Sequence, residues 1–142
     1  MNKGIIGITF GSFDLFHTGH MLMIEEARTQ CDYLIVGLQT DPTLDRPDTK
    51  NKPIQSIFER FMQLRTNKFI DEIIVYETEQ DLYNLLLSIK YDKRFIGADW
   101  KGKEFTGHDV PGHEIVYNSR NHGFSTSNLR ARVFKAENDK LI

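Results

Sequence analysis

The stretch Gly11-Ser-Phe-Asp-Leu-Phe-His-Thr-Gly-His20, directly behind the apolar run Ile5, Ile6, Ile8 and Phe10, decides how this chain folds. An apolar run, a glycine-led turn and a segment of helical period read as strand, tight turn, helix. His17 and His20 lie three apart and meet the incoming helix around its first turn. Unpaired backbone N–H groups and the helix dipole favour an anion there. Two imidazoles beside such a hole suit a phosphate whose negative charge grows during a reaction. Either histidine alone reads as a surface residue in a loop. The pair, with Gly11, Phe13, Asp14 and Gly19 around it, points to phosphate chemistry. A metal reading of His-x-x-His is weak, because Cys31 is the only cysteine and no carboxylate–histidine set lies nearby in the sequence.

Outward from this segment, strand-like runs recur at 5–10, 33–38, 73–76, 95–97 and 114–117. They are continuously apolar more than alternating, as in a sheet covered on both faces. Met21, Ile24, Ala27 and Cys31 make one helical stripe. Ser56-Ile-Phe-Glu59 is a capping box opening a second helix with Ile57, Phe61 and Leu64 inward. Leu82, Leu85, Leu86 and Ile89 form a third stripe. Ser125, Thr126 and Ser127 offer caps for a last helix burying Leu129 and Val133. The order β-α-β-α-β-α-β-β-α predicts an α/β fold: a Rossmann-like, doubly wound, parallel five-stranded sheet in a single domain. That domain is expected to occupy residues 1–136, with 137–142 a flexible tail.

A chain of 142 residues fits one core. Hydrophobic residues at 39% and charged ones at 27% are those of an ordinary globular protein. A formal net charge of -2 makes no electrostatic case for nucleic acid or an anionic membrane. One cysteine excludes an internal disulfide and fits a reducing, cytoplasmic setting. No apolar run approaches the ~20 residues of a membrane span, and Met1-Asn2-Lys3 leads into a strand, unlike a signal peptide.

In such folds ligands sit beyond the carboxyl ends of the strands, and every unusual loop here leaves such an end. Residues 40–55 form a long polar loop carrying Pro42, Pro47 and Pro53, read as a lid. Lys50 and Lys52 in it are either solvated or reach a phosphate chain as flexible point charges; Lys52, before Pro53, is the better anchored. Arg120-Asn-His-Gly-Phe-Ser125-Thr126 joins a strand end to a helix start, so hydroxyls and N-terminal amides cradle phosphates while Arg120 clamps them. A plain capped helix would explain the serines but not Arg120 and Gly123. Trp100, the only tryptophan, is a packing plug or a ligand contact.

The segment 11–20 resembles the GTFDxxHxGH motif of the HxGH nucleotidylyltransferases, with Ser12 keeping the hydroxyl of the usual Thr. Gly97-Ala-Asp99-Trp100 is similar to their GxDW segment, and residues 69–75 to their VDEVI segment. Residues 120–126 resemble the RTEGIST motif of the glycerol-3-phosphate cytidylyltransferases, with Asn121 and His122 departing from Thr and Glu. The resemblance implies transfer of CMP from CTP to a small phosphorylated acceptor, with pyrophosphate released, Mg²⁺ carried on the nucleotide phosphates, and a homodimer. It implies that His17, His20, Lys50 and Arg120 carry catalysis. Gly11, Ser12, Phe13, Gly19, Arg60, Gly97 and Asp99 would line the nucleotide, with Asn121, Gly123, Phe124, Ser125 and Thr126 completing that site. Lys52 and Trp100 would meet the acceptor, and no protein side chain would ligate metal. Arg60 reads equally well as a surface residue paired with Glu59 or Asp71. The acidic run Glu77-Thr-Glu-Gln-Asp81 sits where an acceptor phosphate wants basic help, so the acceptor stays open. Rival readings are an adenylyltransferase of the same superfamily and a catalytically silent nucleotide-binding module.

The lid reading has a direct test. Proteolysis near Lys50 should slow when CTP is present; equal cleavage with and without nucleotide would count against a lid.

Overall fold

The structure is a computed structural model, and residues 2–141 are described. Five parallel strands form one sheet in the order β3-β2-β1-β4-β5: β1 Ile6–Gly11, β2 Tyr33–Gln39, β3 Glu72–Tyr76, β4 Lys93–Gly97 and β5 Glu114–Asn118. Helices α1 Thr18–Arg28, α2 Ile57–Arg65, α3 Glu79–Ser88 and α4 Thr126–Asp139 join or follow them. The order reverses between β1 and β4, the switch point at which such sheets bind ligands. The doubly wound sheet expected from the alternation of patterns is the one observed.

Period-two burial divides the core between the two faces. Ile24, Ala27, Leu34, Val36, Leu64 and Phe95 pack beneath α1 and α2; Ile6, Ile8, Ile35, Tyr76, Leu82 and Leu86 pack beneath α3. Two side chains fall outside their expected places. Met21 is 46% exposed, and Met23, two residues on, packs against the core in its place. Val133 is 54% exposed, because α4 leaves the sheet after its first turns. The last helix also continues to Asp139, so a tail beginning at residue 137 is not observed; Ile142 lies outside the described residues.

At the switch point β1 pairs with β4 only through Gly7–Lys93 and Ile8–Arg94, whereas β1 follows β2 as far as Gly11. Thr9 Oγ1 donates to the Phe95 carbonyl at 3.1 Å in place of further ladder bonds. Beyond it the strand ends splay and open a cleft.

Arg60 fixes the geometry of those ends. It is 2% exposed, and its guanidinium donates to the carbonyls of Ser12 (3.0 Å), Gln39 (2.6 Å), Thr40 (2.6 Å) and Gln55 (3.1 Å). Arg60, expected to touch nucleotide, instead gives four of its five guanidinium N–H groups to backbone carbonyls in the interior and does not line the cleft. It pairs with neither Glu59 nor Asp71; Asp71 pairs instead with Arg28 at 2.6 Å. Asp14 completes the joint by accepting from the Ile54 and Gln55 N–H groups at 2.9 and 3.0 Å, and Gln55 Oε1 accepts from Leu15 N–H at 2.7 Å. The 40–55 loop is therefore tied at both ends. Asp41 caps a 3₁₀ turn, Pro42–Leu44, at the start, and Arg46 pairs with Glu79.

Replacing Arg60 by Leu strands four carbonyls and should cost about 3–5 kcal/mol. Urea unfolding measures it, and a loss below about 1 kcal/mol would remove the clamp role.

Candidate active site

Local chemistry builds the site from the β1–α1 turn. Phe13 (φ 49°) and Leu15 (φ 57°) occupy the left-handed region, which non-glycine residues enter at an energetic cost. The Asp14 and Gln55 bonds hold the turn there. Phe13 is consequently buried in the core with its ring tilted against that of His20, so it supports the site and does not line it.

His17 is the N-cap of α1. Its Nδ1 accepts from Gly19 N–H at 3.0 Å, and its own N–H donates to Nδ1 of His20 at 3.2 Å, a capping box made from two imidazoles. Because both Nδ1 atoms accept from backbone N–H groups, each neutral ring carries its proton on Nε2. The rings stack with centroids 3.8 Å apart, and Phe16 lies parallel to His20 at 5.9 Å. Burial, with His17 beside it, pushes His20 down to about 3. Burial also lowers His17, helped by His122 and Arg120. The pair therefore acts as two neutral Nε2–H donors. Gly19 is required by close approach: a Cβ there would lie 2.9 Å from Cε1 of His17 and 3.0 Å from Cε1 of His122.

A second helix start faces the first. Ser125 caps α4 by accepting from Asn128 N–H at 3.0 Å, and Thr126 Oγ1 lies 3.1 Å from Nε2 of His17. Arg120 leans over this junction, 3.4 Å from Asp99, both half exposed. Nδ1 of His122 accepts from Phe124 N–H at 3.1 Å, so this imidazole too turns Nε2 outward.

These groups border a cleft of about 900 Å³ above the splayed strands. Gly11, Ser12, His17, Gly19, His20, Lys50, Gly97, Trp100, Arg120, Phe124, Ser125 and Thr126 all line it. Lys52, Asp99, Asn121 and Gly123 lie outside its wall, with Asp99 reaching the site only through Arg120. Of the two lysines, Lys50 is the one on the cleft.

Several wall residues were not singled out from sequence. His122 was noted only as a departure from a motif. Asn118, 1% exposed at the end of β5, carries a buried Oδ1 without a hydrogen-bond partner. Arg46 and Arg94 are also in the wall. For Asn118 the available signal was its place at the end of β5; Arg46 lies in the loop after β2, and Arg94 lies within β4, where nothing local marks it. Among the described residues no three His, Cys, Asp or Glu side chains gather as a metal centre. No helix among them is long and apolar enough to cross a membrane.

Comparison with known proteins agrees with this geometry. The chain is 35% identical over 137 residues to the bifunctional protein HldE of Campylobacter concisus, a match covering 96% of this chain and 29% of that protein. It is 34% identical over 131 residues to HldE of Caulobacter sp. strain K31, covering 90% of this chain and 27% of that one. The chain thus spans less than a third of these relatives. The crystal structure of a lipopolysaccharide core biosynthesis protein from Thermoplasma volcanium shares the fold, with TM-score 0.69 and 24% identity over 84% of this chain and 99% of that one. Residues 8–132 match the model of the family described as cytidylyltransferase-like, within the HxGH nucleotidylyltransferases, and the chain belongs to that family.

Proposed function

We propose that this chain transfers CMP from CTP to a small phosphorylated acceptor and releases pyrophosphate. The observation that carries this reading is the convergence of two Nε2–H imidazoles and two helix N-termini on one cleft at the switch point. An acceptor phosphate, largely ionised at pH 7 because its second pKa is about 6, attacks the α-phosphorus. The new P–O bond forms as the bond to the bridging oxygen of the β-phosphate breaks, and the electron pair leaves with pyrophosphate. A dianionic nucleophile needs no strong base. The work is positioning and stabilising charge on the leaving group.

In this reading His17 and His20 donate Nε2–H to the α- and β-phosphates as their charge grows. Ser125, Thr126 and the α4 amides hold the β,γ end with Arg120, and Lys50 closes from the loop. Mg²⁺ would enter on the triphosphate, supplying charge neutralisation. It keeps mostly water and phosphate oxygens around it. Of the carboxylates on the cleft wall, Glu79 is already engaged by Arg46, and no three acidic or histidine side chains gather there among the described residues. A homodimer belongs to the same proposal, with Val133 and Phe134 of α4, 54% and 73% exposed, as surface for it to cover. Sedimentation equilibrium tests it.

Pyrophosphate release with each of the four nucleoside triphosphates and a panel of small phosphate monoesters tests the activity. CTP should be preferred. Preference for ATP would make the chain an adenylyltransferase with the histidine mechanism intact, and no release with any nucleotide would leave a silent binding module. His17→Ala should keep its fold and lose about 10²–10³-fold in turnover, the usual loss for one preorganised donor.

The histidine protonation states make a pH prediction. His20 holds its proton less tightly folded, at about 3, than unfolded, at 6.5. The unfolded chain therefore takes up protons first, and stability falls as pH drops from 6.5 towards 3. By pH 5 the loss from His20 alone is roughly 2 kcal/mol. Imidazole NMR should show His20 as the Nε2–H tautomer with no titration between pH 5 and 8; a midpoint near 6.5 would refute the neutral donor.

A further inference from the structure

On the α3 side of the sheet, away from the paired histidines, lies a cluster that this mechanism leaves unused. Arg94 rises from β4 between the rings of Phe10 and Phe105, its guanidinium carbon 5.3 and 5.2 Å from their centroids, and it is 4% exposed. Its Nη1 donates to the Thr106 carbonyl at 2.5 Å, while its Nε is buried without a partner. Arg46 comes to the same cleft from the loop after β2. Its Nη2 lies 3.3 Å from Glu79, and its Nε is likewise buried and unpartnered. Glu79 is already shared, since it also accepts from the Thr106 hydroxyl at 2.9 Å. Glu104 and Asp109 on the covering loop are exposed and form no ion pair with either arginine.

Two guanidiniums thus face one carboxylate, with Tyr76, Tyr91 and His113 as the other titratable neighbours of Arg94. Burial drags Arg94 below the usual arginine range, the mark of a cation short of compensation. A desolvated charge without a counterion is strongly unfavourable unless a ligand supplies one. The edge left unused on Arg94, Nε with Nη2, is the forked edge that grips oxyanions in bidentate fashion. The aromatic rings on either side shield the guanidinium from water, and Arg94 is part of the cleft wall. Phe10 immediately precedes Gly11, so the cluster adjoins the phosphate turn without belonging to it.

We propose that Arg94 and Arg46 form the acceptor subsite, holding an oxyanion of the small molecule that receives the nucleotidyl group. This rests on the transfer reading above. The oxyanion has two sources, the transferable phosphate itself or a separate carboxylate on the same acceptor.

The test uses the full chain and calorimetry with inorganic phosphate, sn-glycerol 3-phosphate and glycerate as probes, each in saturating CTP with EDTA in place of Mg²⁺ so that no transfer accompanies binding. Arg94→Gln should weaken probe binding at least tenfold and leave CTP affinity within twofold; Arg94→Lys should recover part of the loss. Dependence confined to the two phosphates assigns the subsite to the transferable group, and dependence shared by glycerate assigns it to a carboxylate. Should Arg94→Gln fail to fold, Arg46→Gln gives the same readout from a partly exposed position. Probe affinity unchanged within threefold, or an equal loss of CTP affinity, overturns the proposal. Arg94-dependent probe binding in a chain that binds no nucleotide would keep the anion subsite and reject nucleotidyl transfer.

Discussion

The buried guanidinium of Arg60 is the constraint on which the rest of the site depends. The carbonyls it binds come from the turn after β1, the end of β2 and the residue ahead of the α2 cap. Strand ends in an open parallel sheet have no ladder partners beyond the last pair, and their carbonyls must be satisfied some other way. One planar cation does this for three segments at once. With Asp14 it also keeps Phe13 and Leu15 in the left-handed region that aims the α1 N-terminus at the cleft. The motif's aspartate and the helical arginine are therefore architectural, and the histidines are what that architecture presents.

Those histidines work because they are uncharged. Each gives its Nδ1 to the helix cap, which leaves Nε2–H as a fixed dipole beside the unpaired amides of α1. Stacked 3.8 Å apart, two imidazolium rings would repel each other, and burial adds to that penalty. In the proposed reaction, phosphate affinity on this side would come from aligned dipoles and from two exposed cations, Lys50 and Arg120.

The sheet, its strand order of types and the α2 and α3 stripes were legible in the sequence because period and capping residues are local signals. Ser56 and Glu59 form the expected box, and Leu82 and Leu86 sit on the expected face. Arg60 was misread because nothing local distinguishes a helical arginine facing solvent from one turned onto three distant carbonyls. Met21 was misplaced although Ile24, Ala27 and Cys31 of the same stripe are buried, because at the N-terminal end of α1 it is Met23 that packs against the core. Val133 was misplaced because α4 outruns the sheet that would bury it. Arg94 was invisible for a related reason. It sits in a run of β residues, and only the tertiary placement of Phe10, Phe105 and Thr106 makes it a buried cation aimed at a cleft.

The two sides of the cleft then differ in the kind of charge they offer, and the difference suits the proposed reaction. Pyrophosphate must depart after each turnover, so a leaving-group side built of neutral dipoles and flexible exposed cations stabilises developing charge without retaining the product. The acceptor side needs selectivity among small molecules that resemble one another. A desolvated guanidinium provides it, because a molecule lacking the matching oxyanion leaves that charge buried and unpaired. Placing the permanent buried charge opposite the leaving group separates recognition from release, and the splay of β1 from β4 is what gives each its own wall.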